Sequence, residues 1–195
     1  TWDFPGGQER EAAELVQEIC RYKMYFGDKG GVTVSGGEPL LQPAFVGELF
    51  RLLHGEGIHT ALDTSGVWAD WDGACLVLDH TDLILGDLKF ATPEEYRLHC
   101  KADMEKPLAF YRLAEERGIP LWVRHVVVPG LNDSLEDMGK IKVLAESFSN
   151  LEKIEWLPFH NLCVEKYQSL GIPFPLAGTD NMDEEALQRL VEQLN

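Results

Sequence analysis

Gly30-Gly31-Val32-Thr33-Val34-Ser35-Gly36-Gly37-Glu38-Pro39 is the stretch on which the reading of this chain turns. Its β-branched centre reads as a short strand, and two glycines and a proline break that strand into a turn. A helical pattern follows from about 43 to 56, with Phe45, Val46, Leu49, Phe50 and Leu53 on one face and Gly57 as its stop. Upstream, residues 8–26 read as one amphipathic helix through Ala13, Val16, Ile19, Cys20, Tyr22 and Phe26.

The strand–turn–helix unit recurs downstream. Strands are expected at 58–63, 83–88, 121–128 and 154–157, and helices at 71–78, 104–117, 134–148 and 183–194. Ser134, with Asp137 three residues on, has the chemistry of an N-cap. Residues 161–180, with Pro173, Pro175 and Gly178, read as loop. Such alternation means an α/β fold of parallel strands joined by right-handed crossovers. The apolar run from His125 to Val128 fits a sheet covered on both faces. An open doubly wound sheet and an arc of a (β/α) barrel both satisfy the pattern. Either one places ligands at the C-terminal ends of its strands.

Composition removes whole classes. The chain has 195 residues, 17 Lys+Arg against 33 Asp+Glu, and a formal charge of −16. That length is expected to make one domain over 1–195. The acid excess argues against unspecific nucleic-acid binding, which depends on Lys and Arg neutralising phosphate. No apolar run reaches the length of a membrane span, and no secretion signal opens the chain. The four cysteines, Cys20, Cys75, Cys100 and Cys163, form no C-x-x-C pair. Reduced, mostly buried thiols in a cytoplasmic protein are the expectation.

Polar residues gather where the strands end. Ser35, Gly36, Gly37 and Glu38 follow the first strand, Asp63 and Thr64 the second. Asp87-Leu88-Lys89 ends the third, Arg124 and His125 stand in the fourth, and His160 follows the fifth. Each has an ordinary reading as well. Asp63 and Thr64 suit a turn, Asp87 and Lys89 a plain ion pair, and His160 a packed core histidine. Arg124 and His125 alternate, so only one of them faces the inside of the sheet. The glycine pair lets backbone carbonyls approach a ligand and, with Glu38, suits an ammonium better than a phosphate. It is neither G-x-G-x-x-G nor a phosphate loop.

The 30–42 string resembles the turn by which radical S-adenosylmethionine (SAM) enzymes bind the methionine end of SAM. Four further strings carry the likeness: Gly57-Ile-His-Thr-Ala-Leu-Asp63-Thr64-Ser-Gly66, Asp82-Leu-Ile-Leu-Gly-Asp87-Leu-Lys89, Val123-Arg-His-Val-Val-Val-Pro-Gly-Leu-Asn132 and Leu157-Pro-Phe-His160. Together they are similar to the activases of glycyl-radical enzymes, of the pyruvate formate-lyase group. Thr1-Trp2-Asp3 resembles the stretch just after that family's cluster motif.

The resemblance implies a partial (β/α)6 barrel. It implies a 4Fe–4S cluster, held by C-x3-C-x2-C, that cleaves SAM to a 5′-deoxyadenosyl radical, which takes a hydrogen from a glycine of the partner. It implies SAM contacts at Ser35, Gly36, Gly37, Glu38, Asp87, Leu88, Lys89 and His160. A monovalent cation is implied at Asp63, Thr64, the Leu85 carbonyl and Asp87, and a substrate-side role for Arg124. The implied partners are pyruvate formate-lyase or a related glycyl-radical enzyme, and an electron donor such as flavodoxin or ferredoxin.

The chain departs from that pattern because C-x3-C-x2-C is absent. It therefore reads as a fragment of a longer activase, lacking the first strand and cluster loop, inactive by itself, and open along the 31–35 sheet edge. Three other readings stay open. One is a radical SAM enzyme with another substrate. Another is a non-catalytic SAM- or partner-binding remnant. The last is a Schiff-base lyase using Lys89.

Overall fold

The computed structural model describes residues 8–28 and 30–194. The likeness at Thr1-Trp2-Asp3 lies outside them. The described residues form a five-stranded parallel sheet in the order β1-β2-β3-β4-β5. The strands are β1 (Gly31–Val34), β2 (His59–Thr64), β3 (Leu83–Asp87), β4 (Leu121–Val127) and β5 (Leu151–Pro158). Helices α1 (Ala12–Cys20), α2 (Lys23–Phe26), α3 (Pro43–Gly55), α4 (Trp71–Leu78), α5 (Pro93–Glu95), α6 (Glu105–Glu116), α7 (Leu135–Glu146), α8 (Val164–Ser169) and α9 (Glu184–Leu194) lie between and around them. No helix among the described residues is long and apolar enough to cross a membrane.

Strand order decides between the two architectures. A doubly wound sheet reverses direction at a switch point. Here each strand pairs with the next in sequence, so every right-handed crossover lays its helix on the same face. The sheet is an arc of a barrel, with helices outside and a concave inner face. This corrects the expectation of a sheet covered on both sides. The helix-facing residues Leu62, Ile84, Leu88, Leu121 and Val123 join Phe50 and Leu53 of α3, Val77 of α4, Phe110 and Tyr111 of α6 and Ile141 of α7 in one core. On the inner face, by contrast, Val126 is 41% exposed.

Several local expectations change for identifiable reasons. The helix foreseen over 8–26 begins at Ala12 and breaks after Cys20. There the Arg21 and Tyr22 amides turn back to the carbonyls of Glu18 and Ile19, three residues behind. Ala12, not Ala13, packs inward, and Tyr22 is exposed. β5 extends to both sides of the run foreseen at 154–157. The 161–180 loop carries a 3₁₀ turn and α8. Residues 93–100, unassigned from the sequence, form α5 and a π-helical turn, Tyr96–Cys100. The Ser134 cap is as expected, its hydroxyl accepting from the Asp137 amide at 3.0 Å.

Candidate functional site

The glycine turn is built from its neighbours. Gly36 has φ +126°, a conformation that side chains rarely adopt. A Cβ added at Gly36 or Gly37 would meet nothing within 4 Å, so open space faces this backbone. Glu38 does not point into that space. Its carboxylate accepts from the Leu40 amide (3.1 Å), the Thr64 hydroxyl (2.6 Å), and the Ser65 amide and hydroxyl (2.8 and 2.5 Å). Glu38 thus staples the turn to the end of β2.

Side-chain alternation sends Asp63, Leu85, Asp87, Lys89 and Arg124 to the inner face. In register, Asp63 lies opposite Leu85, and Asp87 opposite Arg124. The Arg124 guanidinium donates to both oxygens of Asp63, one of them at 2.9 Å, and to Asp87 Oδ1 at 2.9 Å. Lys89 Nζ donates to Asp87 Oδ2 at 2.9 Å. Burial works against the charge on Arg124. The hydrogen bonds it donates to Asp63 and the charges of the nearby carboxylates outweigh it and hold its pKa above the ordinary value. The result is a chain of alternating charge, Asp63–Arg124–Asp87–Lys89, across the mouths of β2, β3 and β4.

Two cavities meet at this chain. One, of about 570 Å³, is lined by Ser35, Gly36, Gly37, Asp63, Thr64, Ser65, Asp87, Lys89 and Arg124. The other, of about 360 Å³, is mainly apolar. Leu88, Val126, Val128, Leu131, Phe159 and Phe174 line it, and Asp87, Lys89 and Arg124 are common to both walls. A polar chamber next to an apolar one suits a ligand with a zwitterionic end and an aromatic end. His160 stands two residues past the end of β5 and is exposed. It stands on the same rim as the glycine turn by topology, but is not among the residues lining either cavity.

The sequence profile of the radical SAM superfamily matches residues 1–140. The chain belongs to the radical SAM superfamily. It is 38% identical over 196 residues to the pyruvate formate-lyase-activating enzyme of Clostridium pasteurianum, covering all of this chain and 81% of that one. The enzyme of the same name from Staphylococcus epidermidis is 41% identical over 202 residues, again over all of this chain and 80% of its own. A solved domain of a pyruvate formate-lyase-activating enzyme from Bacteroides vulgatus superposes with a TM-score of 0.65 at 25% identity, over 84% of this chain and 92% of that domain.

The family implies SAM and a 4Fe–4S cluster, and the residues present fit them unequally. SAM's charges match the donor set: a carboxylate for Lys89, an ammonium for the turn carbonyls, and a sulfonium near two acids. The cluster has no such match. The four cysteines are free and scattered, and the described residues include no group of three or more His, Cys, Asp or Glu able to hold a metal. They are half-buried, not buried as expected.

The expected monovalent cation finds no support among the described residues. Arg124 already bridges Asp63 and Asp87, so a guanidinium stands where the cation was placed. The Thr64 hydroxyl is occupied too, donating to Glu38 and accepting from the Gly66 amide at 2.9 Å. The Schiff-base reading of Lys89 also loses its physical ground. Such lysines are activated in dry pockets or beside other cations. Lys89 has a side chain 46% exposed and a carboxylate partner.

Sequence reading missed the buried and half-buried supports of the site. Ser65 anchors Glu38, Tyr111 and Tyr96 bond the backbone of the 87–89 segment, and Asn132 partners His125. One signal was readable: Gly86 inside an apolar strand marks a close approach. A Cβ there would come within 2.8 Å of the Tyr111 ring.

Proposed function

We propose that this chain is a single SAM-binding core domain, residues 1–195, of an activase that installs a glycyl radical on pyruvate formate-lyase. The carrying observation is the junction of the two cavities at Asp87, Lys89 and Arg124. The backbone of Ser35, Gly36 and Gly37, held by Glu38, receives the SAM ammonium. Lys89 takes the SAM carboxylate, and Asp87 orients Lys89 through its 2.9 Å contact. Leu88 and the apolar chamber take the nucleoside, with His160 at its rim. When bound, SAM supplies the group that abstracts the glycine hydrogen. Arg124 neutralises two carboxylates beside the ligand and faces the peptide side.

No step is assigned to a cluster held by these 195 residues, because their cysteines do not form a ligand set. The chain by itself binds SAM and does not cleave it. Flavodoxin or ferredoxin as electron donor, and a cytoplasmic setting, belong to this reading. The relatives named for pyruvate formate-lyase activation, at 38% and 41% identity over the whole chain, support it.

Calorimetry with SAM tests the site. Saturable binding is expected, weakened at least about tenfold by Lys89→Met, since a charge-assisted hydrogen bond is lost. Equal binding by the variant overturns the assignment. Incubation with iron and sulfide is expected to give no SAM-responsive electron-paramagnetic-resonance signal, and such a signal would refute the inactivity of the isolated chain.

A further inference from the structure

The parallel ladder between β3 and β4 ends at the pair Asp87–Arg124. Beyond it the chain carries Leu88 and Lys89 with no further strand pairing, yet this is where the site needs its two charged groups fixed. The Leu88 amide still donates to the Arg124 carbonyl at 3.0 Å. The other backbone groups there are held by side chains. The Tyr111 hydroxyl lies 3.2 Å from the Asp87 carbonyl and 3.3 Å from the Thr64 carbonyl, tying the ends of β3 and β2 together. His125 Nδ1 lies 2.6 Å from the Leu88 carbonyl. The Lys89 amide donates to the Tyr96 hydroxyl at 3.1 Å.

These three residues come from α6, β4 and the π-helical turn, and all are buried, at 0%, 1% and 3% exposure for Tyr111, His125 and Tyr96. His125 is itself fixed. Its Nε2 faces the Asn132 amide nitrogen at 3.1 Å, so Nδ1 carries the proton that Leu88 accepts. Asn132 also accepts from the Val128 amide (2.6 Å) and donates to the Val126 carbonyl (3.1 Å). Tyr111 sits between two glycines. A Cβ at Gly86 would approach its ring to 2.8 Å, and one at Gly66 to 3.0 Å.

We propose that Tyr111, His125 and Tyr96 are positioning residues that clamp the backbone of the 87–89 segment and so aim Asp87 and Lys89 into the polar cavity. Asp87 makes its contacts to Lys89 and Arg124 at 2.9 Å each, and a displacement of the segment by about 1 Å would break both. Core packing alone does not require hydroxyls and an imidazole on successive backbone groups. This inference rests on the SAM site proposed above.

The test uses the 195-residue chain with Tyr96→Phe, Tyr111→Phe, His125→Leu and His125→Asn, and SAM as the probe. The Phe variants keep the rings and remove only the bonds. His125→Asn retains an N–H donor where Nδ1 stands. Exchange of the Lys89 amide should accelerate about tenfold in Tyr96→Phe, because its acceptor is gone. SAM should bind about tenfold more weakly in Tyr96→Phe and Tyr111→Phe, as is usual when a supporting hydrogen bond to a site is lost. Urea-unfolding midpoints should remain close to that of the parent chain. His125→Asn should bind SAM better than His125→Leu. Unchanged exchange at 88–90, together with parental SAM affinity in both Phe variants, overturns the clamp. If the parent chain binds no SAM, or binds it as well with Lys89→Met, the ligand reading fails. The clamp is then judged by exchange alone: faster exchange supports it and unchanged exchange refutes it.

Discussion

The two faces of the central strands differ in what they are built to do. Along β2, β3 and β4, the residues facing the helices are almost fully enclosed: Leu62, Ile84, Leu121 and Val123 are each 0% exposed. Their immediate neighbours in sequence face the concave side, where Asp63 and Asp87 keep side chains 24% exposed and Arg124 19%. One residue step therefore separates a dry core from a charged, solvent-accessible surface. Apolar packing is concentrated on the first face and the charged side chains of the candidate site on the second. Two polar residues of the helix face reach toward the site, Thr64 to the Glu38 carboxylate and His125 to the Leu88 carbonyl.

That division can be broken most strongly from the helix side. Phe50 is fully buried in the core, so Phe50→Ala should lower unfolding stability by about 4 kcal/mol, read as a fall in the urea midpoint. A loss below about 1 kcal/mol would mean that this face is not the main store of stability. Arg124→Ala comes next. It leaves Asp63 and Asp87 facing each other without their bridge, and should cost about 2 kcal/mol. Added potassium chloride should restore part of that loss in the variant and little in the parent. No salt rescue would show that the carboxylates are relaxed apart by solvent.

The smallest effect is a pH dependence. Burial lowers the His125 pKa below its ordinary 6.5, with Lys89 nearby adding to the effect, while the Leu88 hydrogen bond and the Asp87 and Asp137 charges oppose it. The unfolded chain then binds more protons than the folded one below that value. The stabilisation is complete above about pH 6.5 and declines as pH falls from there through the lowered value. The difference in urea midpoint between about pH 7.5 and 5.5 should be smaller in His125→Asn, which does not titrate there. Equal differences would remove His125 from the pH response. Tyr96 and Tyr111 add no such dependence near neutrality. Burial pushes Tyr96 up to about 12 and Tyr111 well above its ordinary value, so both stay protonated.

Much of the candidate site is legible in the sequence. The ends of five strands were recognisable from hydrophobic period and turn residues, and a parallel fold must bring those ends to one rim. Asp63, Asp87, Lys89 and Arg124 were named on that ground, and they share a cavity. Glu38 shows the boundary of such reading. Its place in the turn was plain, but its carboxylate is used up by Leu40, Thr64 and Ser65. His160 shows it again, standing exposed beyond the end of β5.

Local sequence determined the alternation of strand and helix, the alternating faces of each strand, and the polar chemistry at the strand ends, because these depend on periodicities of two and 3.6 residues and on turn propensities. Tertiary structure decided strand order, and with it the barrel arc and the open inner face. It also decided who pairs with whom: Arg124 with Asp63 across 61 residues, Tyr111 with Thr64 across 47, and Leu88 with His125 across 37. Such pairings depend on register and on which side chain first satisfies a buried partner, and no short stretch of sequence contains both members of the bond.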